Sequence, residues 1–346
     1  MSNPSLKAII LKATLPVLIG IAVVAWLFSR DFSISDFQRI TLSPEAALYI
    51  ALALLMVAGR EMGMMWRWRI LTGRHLTWKK SFRVTMLCEF TSAITPTTAG
   101  GSALSMVFLS REGIAIGRAT SLSMITLMLD QLFIIVMLPL ILFALPVQSL
   151  FGFDARTFNE GVKIAFWIVY AGVCALGVAL FLGALVCPNS ISRSLYRLFS
   201  IRWLRRWRPK IEKMGIDMAA TAAELRRASL GWWVQAIAAT FVSWGCRFLV
   251  VNALFLAFAP MADQLVVFAR QLVVWTLLTI SPTPGGSGVS EWLFTNYYGD
   301  LLGGDTSIAL IIAVMWRILS YYIYLLAGVF TLPWVFVQRR DESSAQ

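Results

Sequence analysis

The sequence predicts an all-α polytopic membrane protein with about six full spans and two oppositely oriented re-entrant helical hairpins, an inverted repeat. Three observations predict it. The 346-residue chain is 58% hydrophobic and 14% charged, with a mean hydropathy of +0.74, and a soluble globule could not cover that much apolar surface. Its 30 Lys and Arg outnumber 18 Asp and Glu. They fall in short clusters between apolar stretches, as positive-inside topology expects, so nucleic acid is not an expected partner. Two shorter apolar segments carry nearly matched helix-breaking centres, ITPTTAGGSA from Ile94 to Ala103 and ISPTPGGSGVSE from Ile280 to Glu291.

A span needs about 17–25 mostly apolar residues. Segments 8–28, 45–65, 120–145, 163–187, 232–259 and 306–337 qualify, the last being long enough to tilt or to extend past the bilayer. The first starts with Lys7 and Lys12, like a signal peptide. No small-x-small cleavage site precedes Ser29-Arg30-Asp31, so it reads as a retained helix. The loop after the second span holds Arg67, Arg69, Arg74, Lys79, Lys80 and Arg83 without an acid, and Arg339 and Arg340 follow the last span. Loop 188–231 holds ten basic residues against Glu212, Asp217 and Glu224. These counts put both termini on the cytoplasmic side of a cytoplasmic (inner) membrane.

Residues 84–117 and 264–304 remain, within a single integral domain spanning 1–346. Each has two apolar arms too short to cross singly. The topology closes if the first enters and returns on the cytoplasmic side and the second on the outer side, although a pair of thin, tilted spans at each position preserves the same topology. Residues 188–231 read as a basic amphipathic connector. Tyr196, Phe199, Trp203 and Trp207 recur among six arginines, which suits 190–213 to an anionic leaflet surface. A second amphipathic piece follows Pro209, with Ile211, Met214, Met218 and Leu225 on one side.

The chemistry concentrates at the two breaks. Pro96, Pro282 and Pro284 stop the incoming arms. Gly100, Gly101 and Ser102, and Gly285, Gly286, Ser287 and Gly288, can start an outgoing half-helix whose free N–H groups suit an anion. No GKS or GKT follows the glycines, so these are not nucleotide-binding loops. Within the apolar segments stand Arg247, Arg270 and Arg317, with Glu89, Asp130 and Glu291 as acids. A central Arg or Asp costs about 2.5–3.5 kcal/mol on insertion scales, which favours partners or a wet cavity around each. Internal ion pairing that fixes helix packing is the simpler alternative for any one of them. Cys88, Cys174, Cys187 and Cys246 have no paired spacing, and His75 is the single histidine. Neither a metal site nor a cofactor is expected.

SPTPGGSGVSE with its apolar-aromatic arm resembles the second hairpin of the flippase-like membrane family that includes the transmembrane region of lysylphosphatidylglycerol synthases. WRILSYYIYLLAG (Trp316 to Gly328) is similar to that family's last helix, SWGCRFLVVNALFLAF to its helix with a central Arg, and TPTTAGGSALSM, with Asp130 in the next span, to its first hairpin. The likeness covers nearly the whole chain. It departs at the first hairpin, where the family usually has Glu and then Arg soon after the glycines. This chain has Ser102 and Ala103, then Ser105 and Met106. The resemblance implies a lipid translocase rather than an enzyme, the chain stopping at Gln346 without a soluble aminoacyl-transferase domain. Its partner would be a membrane lipid with a phosphate headgroup, anionic or polyprenyl-linked. Arg247, Arg270 and Arg317 would attract the phosphate, and Glu89, Asp130 and Glu291 would hold the arginines when the site is empty or couple to protons. A secondary transporter of a small anion, a membrane-embedded enzyme and an accessory subunit of an envelope or glycolipid pathway are the alternatives.

Overall fold

The structure is a computed structural model that describes residues 43–95, 100–152, 160–188, 208–281, 283, 286, 289–328 and 331. The expected first span, residues 189–207 of the connector, Pro96, Pro282, Pro284, Gly285, Ser287, Gly288 and the arginines after the last span lie outside the described residues, as do the side chains of Ser102 and Glu291.

The described chain is helical throughout, and its element order contains the same unit twice. Helix α1 (Pro44–Leu71) is followed by the short α2 (Trp78–Ile94) and α3 (Gly100–Arg111) and by the long α4 (Ile116–Ala144). After α5 (Val147–Phe151), α6 (Glu160–Phe181) and α7 (Arg208–Arg226), the pattern returns. Long α8 (Leu230–Phe258) precedes short α9 (Gln264–Leu278) and α10 (Val289–Tyr297), then α11 (Thr306–Arg317). A π-helical turn, Ile318–Tyr322, continues α11 into a span reaching Gly328. Five described helices are long and apolar enough to cross a membrane. Helices α2 and α9, at 17 and 15 residues, are not; at about 1.5 Å per residue they fall short of the ~30 Å hydrocarbon core.

The local reasons are visible at the helix ends. Ser43 caps α1 by accepting from the Ala46 N–H (3.1 Å), with Pro44 in the first turn. Asp263 caps α9 through the Leu265 and Val266 N–H groups. Thr77 caps α2, which carries the first arm back six residues from the expected start at 84 and takes Lys79, Lys80 and Arg83 into the helix. Pro139 lies inside α4 and cannot donate to the Ile135 carbonyl, four residues back. The Tyr170 hydroxyl of α6 donates to that carbonyl instead (3.2 Å), so α4 stays continuous.

Helices α1 and α8 form the most extensive contact in the bundle and run antiparallel. The Trp232 indole donates to the Ile70 carbonyl, Arg67 reaches Thr240, and Ser243 donates to the Arg60 carbonyl. Gly59 faces Cys246, and Gly63 faces Ala239 and Ser243. Because α1 and α8 point opposite ways, the short pair after each leaves from opposite ends of the bundle. The turns after α1, α3 and α7 gather at one end, with Lys80 and Arg83 on the buried Glu112 and Arg118 on Glu224. Asp263, Asp300 and Asp305 stand at the other. Met218 and Leu225 of α7 are buried, and α7 packs on α4.

The second span runs to Leu71 rather than ending near residue 65, and Arg67 is a fully buried helix residue rather than part of a loop. Its charge stopped the apolar window, but a partner on α4 lets the helix carry it inside.

The α1/α8 contact predicts a ranking. A Cβ on Gly63 would lie 2.7 Å from the Ser243 backbone N and 2.9 Å from the Ala239 carbonyl, whereas on Gly59 it would meet only the Cys246 Sγ closely, at 2.9 Å. Backbone cannot step aside and a thiol can. Gly63→Ala should therefore lower the melting temperature in detergent by the equivalent of about 1–3 kcal/mol, with Gly59→Ala clearly milder.

Candidate functional site

The ends of the two incoming arms, α2 and α9, reach one cavity of about 350 Å³. Ser92 and Ala93 come from the first, Leu278 and Thr279 from the second. Helices α1, α4, α6 and α8 and the α11 span complete the wall. The π turn after Arg317 adds a residue to the helical circuit, and Arg317, Ser320, Tyr321 and Tyr324 all line the cavity from that helix.

The polar part of the wall is an ion cluster. Glu89 on α2 receives two arginines on separate oxygens: Arg60 on Oε2, and Arg247 on Oε1 at 3.0 Å. Arg60 also lies 3.5 Å from Glu61, which accepts from the Tyr324 hydroxyl at 2.7 Å. A second pair stands beside it. Asp130 Oδ1 accepts from Arg67 (2.6 Å) and from the Trp244 indole (2.7 Å).

Each cavity arginine lies against aromatic rings. Arg247 sits 4.8 Å from the Trp244 centroid and 4.6 Å from that of Trp275. Arg60 lies 4.4 Å from Tyr324, and Arg317 4.1 Å from Tyr321. Stacking on a ring face suits the planar guanidinium, fixes its plane and leaves its N–H edges free to bond. The site can thus present positive, planar, preset donors to an anion, and it holds carboxylates among them. Away from the cluster the wall is apolar, with Leu127, Ile134, Leu176 and Leu180.

Of the residues expected from sequence, Arg247, Arg317, Glu89 and Asp130 line this cavity. Arg270 does not, and its expected place in the site is corrected. It is fully buried near the acidic end and clamped by both oxygens of Asp300, with further bonds to the Ser149 and Tyr297 carbonyls. An arginine with that many acceptors ties α9 to α5 and to the segment after α10, and has no donor aimed at the cavity.

The glycines also have other work. The Gly101 N–H donates to Ser92 Oγ, and a Cβ there would overlap the Cys88 carbonyl, so Gly101 lets α3 cross closely over α2. Gly286 adopts φ 71°, in the left-handed region, and accepts from the Ser290 N–H at the start of α10. Neither of these two lines the cavity.

Sequence reasoning missed Arg60, Glu61, Arg67 and Tyr324. The signal was present for the first two, an Arg-Glu pair inside an otherwise apolar span. Arg67 was masked by its grouping with the basic loop.

The sequence matches the family described as the lysylphosphatidylglycerol synthase TM region over residues 13–328. The chain belongs to this family. A UPF0104 membrane protein of Archaeoglobus fulgidus is 23% identical over 336 residues, covering 94% of this chain and 97% of its own. No solved structure matches. Among the motifs that carried the resemblance, the family's helix with a central Arg corresponds to α8 and its last helix to the α11 span.

The two arginine environments separate by experiment. Asp300→Ala leaves Arg270 buried without its carboxylate and should cost about 3–5 kcal/mol of stability, read as a large fall in melting temperature with anion affinity retained. Arg247→Ala, at the partly accessible cavity wall, should do the reverse: a small thermal shift and a clear loss of anion affinity.

Proposed function

We propose that the protein is a lipid translocase that carries a phosphate-bearing lipid headgroup, anionic or polyprenyl-linked, through the central cavity by alternating access while the acyl chains stay in the bilayer. The observation that carries this reading is the meeting of two hairpin arms, entering from opposite ends of the bundle, at a cavity lined by stacked arginines. Arms from opposite ends provide a site that either side can expose, with each hairpin as a re-entrant element. Irregular backbone at that depth is tolerated where it is enclosed by protein or lines a cavity.

Lipid is favoured over a free solute by the cavity's far wall. Leu176 and Leu180 belong to α6, where 28% of the apolar window is buried, and Leu176 is itself about half exposed. Acyl chains can follow such a wall outward, whereas a hydrated ion gains nothing from it. Arg247 and Arg317 are assigned to the phosphate, joined by Arg60, and Glu89 and Asp130 to the arginines. The basic end, at the turns after α1, α3 and α7, faces the cytoplasm of a cytoplasmic (inner) membrane by the positive-inside rule. The basic, aromatic composition of residues 190–213 suits that anionic leaflet. The pairing of Glu89 and Asp130 with arginines supports a transporter role over a reaction on the lipid.

The test is transbilayer movement of acyl-labelled phosphatidylglycerol in proteoliposomes, followed by dithionite quenching. Wild type should move the probe at least tenfold faster than empty vesicles, and Arg247→Gln and Arg317→Gln should lose most of that rate while remaining monodisperse. Wild-type rates equal to empty vesicles, together with uptake of free phosphate, would replace the lipid with a small anion.

A further inference from the structure

We infer that Glu89 occupies the substrate's anion position in the empty site, and that the anion and one proton bind together, Glu89 taking the proton. The inference deepens the translocase reading and rests on it only for what the anion is attached to.

The argument begins with the two bonds on Glu89. Its oxygens engage Arg60 and Arg247 separately, the arrangement an incoming phosphodiester would adopt with its two free oxygens. Both guanidiniums are held by rings, Arg60 by Tyr324 and Arg247 by Trp244 and Trp275, so the donors stay in place when the acceptor changes. An anion that binds them must therefore displace the Glu89 carboxylate.

Among the described residues, the other cations around the displaced carboxylate are committed elsewhere or assigned to the phosphate. From α1 it faces Arg60, and Glu61, whose own oxygen is engaged by the Tyr324 hydroxyl and the Arg60 Nε. Arg67, also on α1, is committed to Asp130 of α4. Arg247 faces it from α8, and Tyr324 from the α11 span, where Arg317 lies over Tyr321. Its neighbour on α2 is Cys88, a thiol. An ionised carboxylate stripped of partners in such surroundings is unstable and neutralises instead. The step balances as carboxylate plus proton giving the carboxylic acid. One negative charge enters with a phosphodiester and one positive charge with the proton, so the loaded cluster carries the same net charge as the empty one.

Two consequences follow. By linkage, the factor by which the anion raises Glu89's proton affinity is the factor by which protonation raises anion affinity. Proton and anion then travel in the same direction, and a pH gradient, rather than the membrane potential, drives electroneutral transport.

The experiment uses purified full-length protein and two probes with one headgroup: dihexanoyl phosphatidylglycerol, and tail-free glycerophosphoglycerol, neither of which titrates between pH 5.5 and 8.5. Calorimetry in buffers of different ionisation enthalpy reads affinity and protons together. Wild type should take up about one proton per probe bound, with affinity falling up to tenfold per pH unit as pH rises. Glu89→Gln should bind at least as tightly, independently of pH and without proton uptake; Glu89→Asp, which keeps the charge if Gln disturbs folding, should retain the slope. Wild-type binding without proton uptake overturns the inference, as does a Gln variant with the wild-type slope, or failure of both probes to bind. Phosphatidylglycerol movement in vesicles without proton-linked binding leaves the translocase standing and the coupling wrong. Proton-linked binding that is equal for both probes, with no lipid movement, leaves the coupling standing and the lipid reading wrong.

Discussion

Helices α1 and α8 approach closely enough that Gly63 meets the backbone of Ser243 directly, and almost everything else in the molecule is placed by that contact. In a bilayer the apolar effect does not drive helices together, so small residues that permit backbone approach and polar groups that bond across the seam must do so. Gly59 and Gly63 supply the approach, and the Ser243 to Arg60 and Trp232 to Ile70 bonds supply the register. Antiparallel packing then sends the two short-helix pairs off opposite ends. Each has its own route back: α2 lies along α1 and α9 along α8, so both arms end near the middle of the same seam. The two halves also close on each other. Phe90 and Ala93 of the first arm pack with Tyr321 and Leu325 of the last span, and the Phe90 ring fills the space over Gly328.

That seam carries the charges as well as the packing. Arg60 and Arg67 lie on α1, and Arg247 lies on α8 beside Trp244, so the contact itself brings two cavity arginines face to face. Their carboxylates arrive from the next elements of the first unit, Glu89 from α2 and Asp130 from α4. The second unit contributes aromatic groups instead: Trp275 from α9, and Trp316, Tyr321 and Tyr324 from the α11 span. One repeat holds the ionic partners and the other the rings on which the arginines lie. The missing Glu and Arg after the first glycine pair fit this division, since the ionic partners come from deeper in α2 and from α4.

The all-α, multi-spanning architecture was legible because apolar windows of sufficient length stand out, and Pro-Gly breaks stand out within them. Arg247, Arg317, Glu89 and Asp130 were legible for the same reason, as charges in apolar surroundings. The rest depends on pairing, which no local pattern encodes. Arg270 looked equivalent to Arg247 in sequence, each an arginine among apolar neighbours, and Asp300 decides between them from thirty positions away across the α9–α10 turn. Arg67 looked like a loop residue because it begins a basic run, and Asp130 makes it a buried one. The glycines were read for their N–H groups, but helix crossing at Gly101 and a left-handed turn at Gly286 use the same property, the missing Cβ, for packing.

An anion site inside a membrane has to be stable when nothing is bound to it. Three arginines left facing an empty apolar cavity would each carry a desolvation cost of a few kcal/mol, and the protein would gain by collapsing around them. Stacking on aromatic rings lowers that cost without occupying the N–H edges, and in the proposed cycle the Glu89 carboxylate occupies those of Arg60 and Arg247 until an anion arrives. Glu89 is suited to that office because it stands on a short helical arm rather than on the α1/α8 seam, so it can withdraw without disturbing the contact that holds the bundle. Asp130, held by Arg67 and the Trp244 indole within α4, has no such freedom. The difference between a carboxylate that stabilises the fold and one that yields to a ligand is then a difference in what each is mounted on.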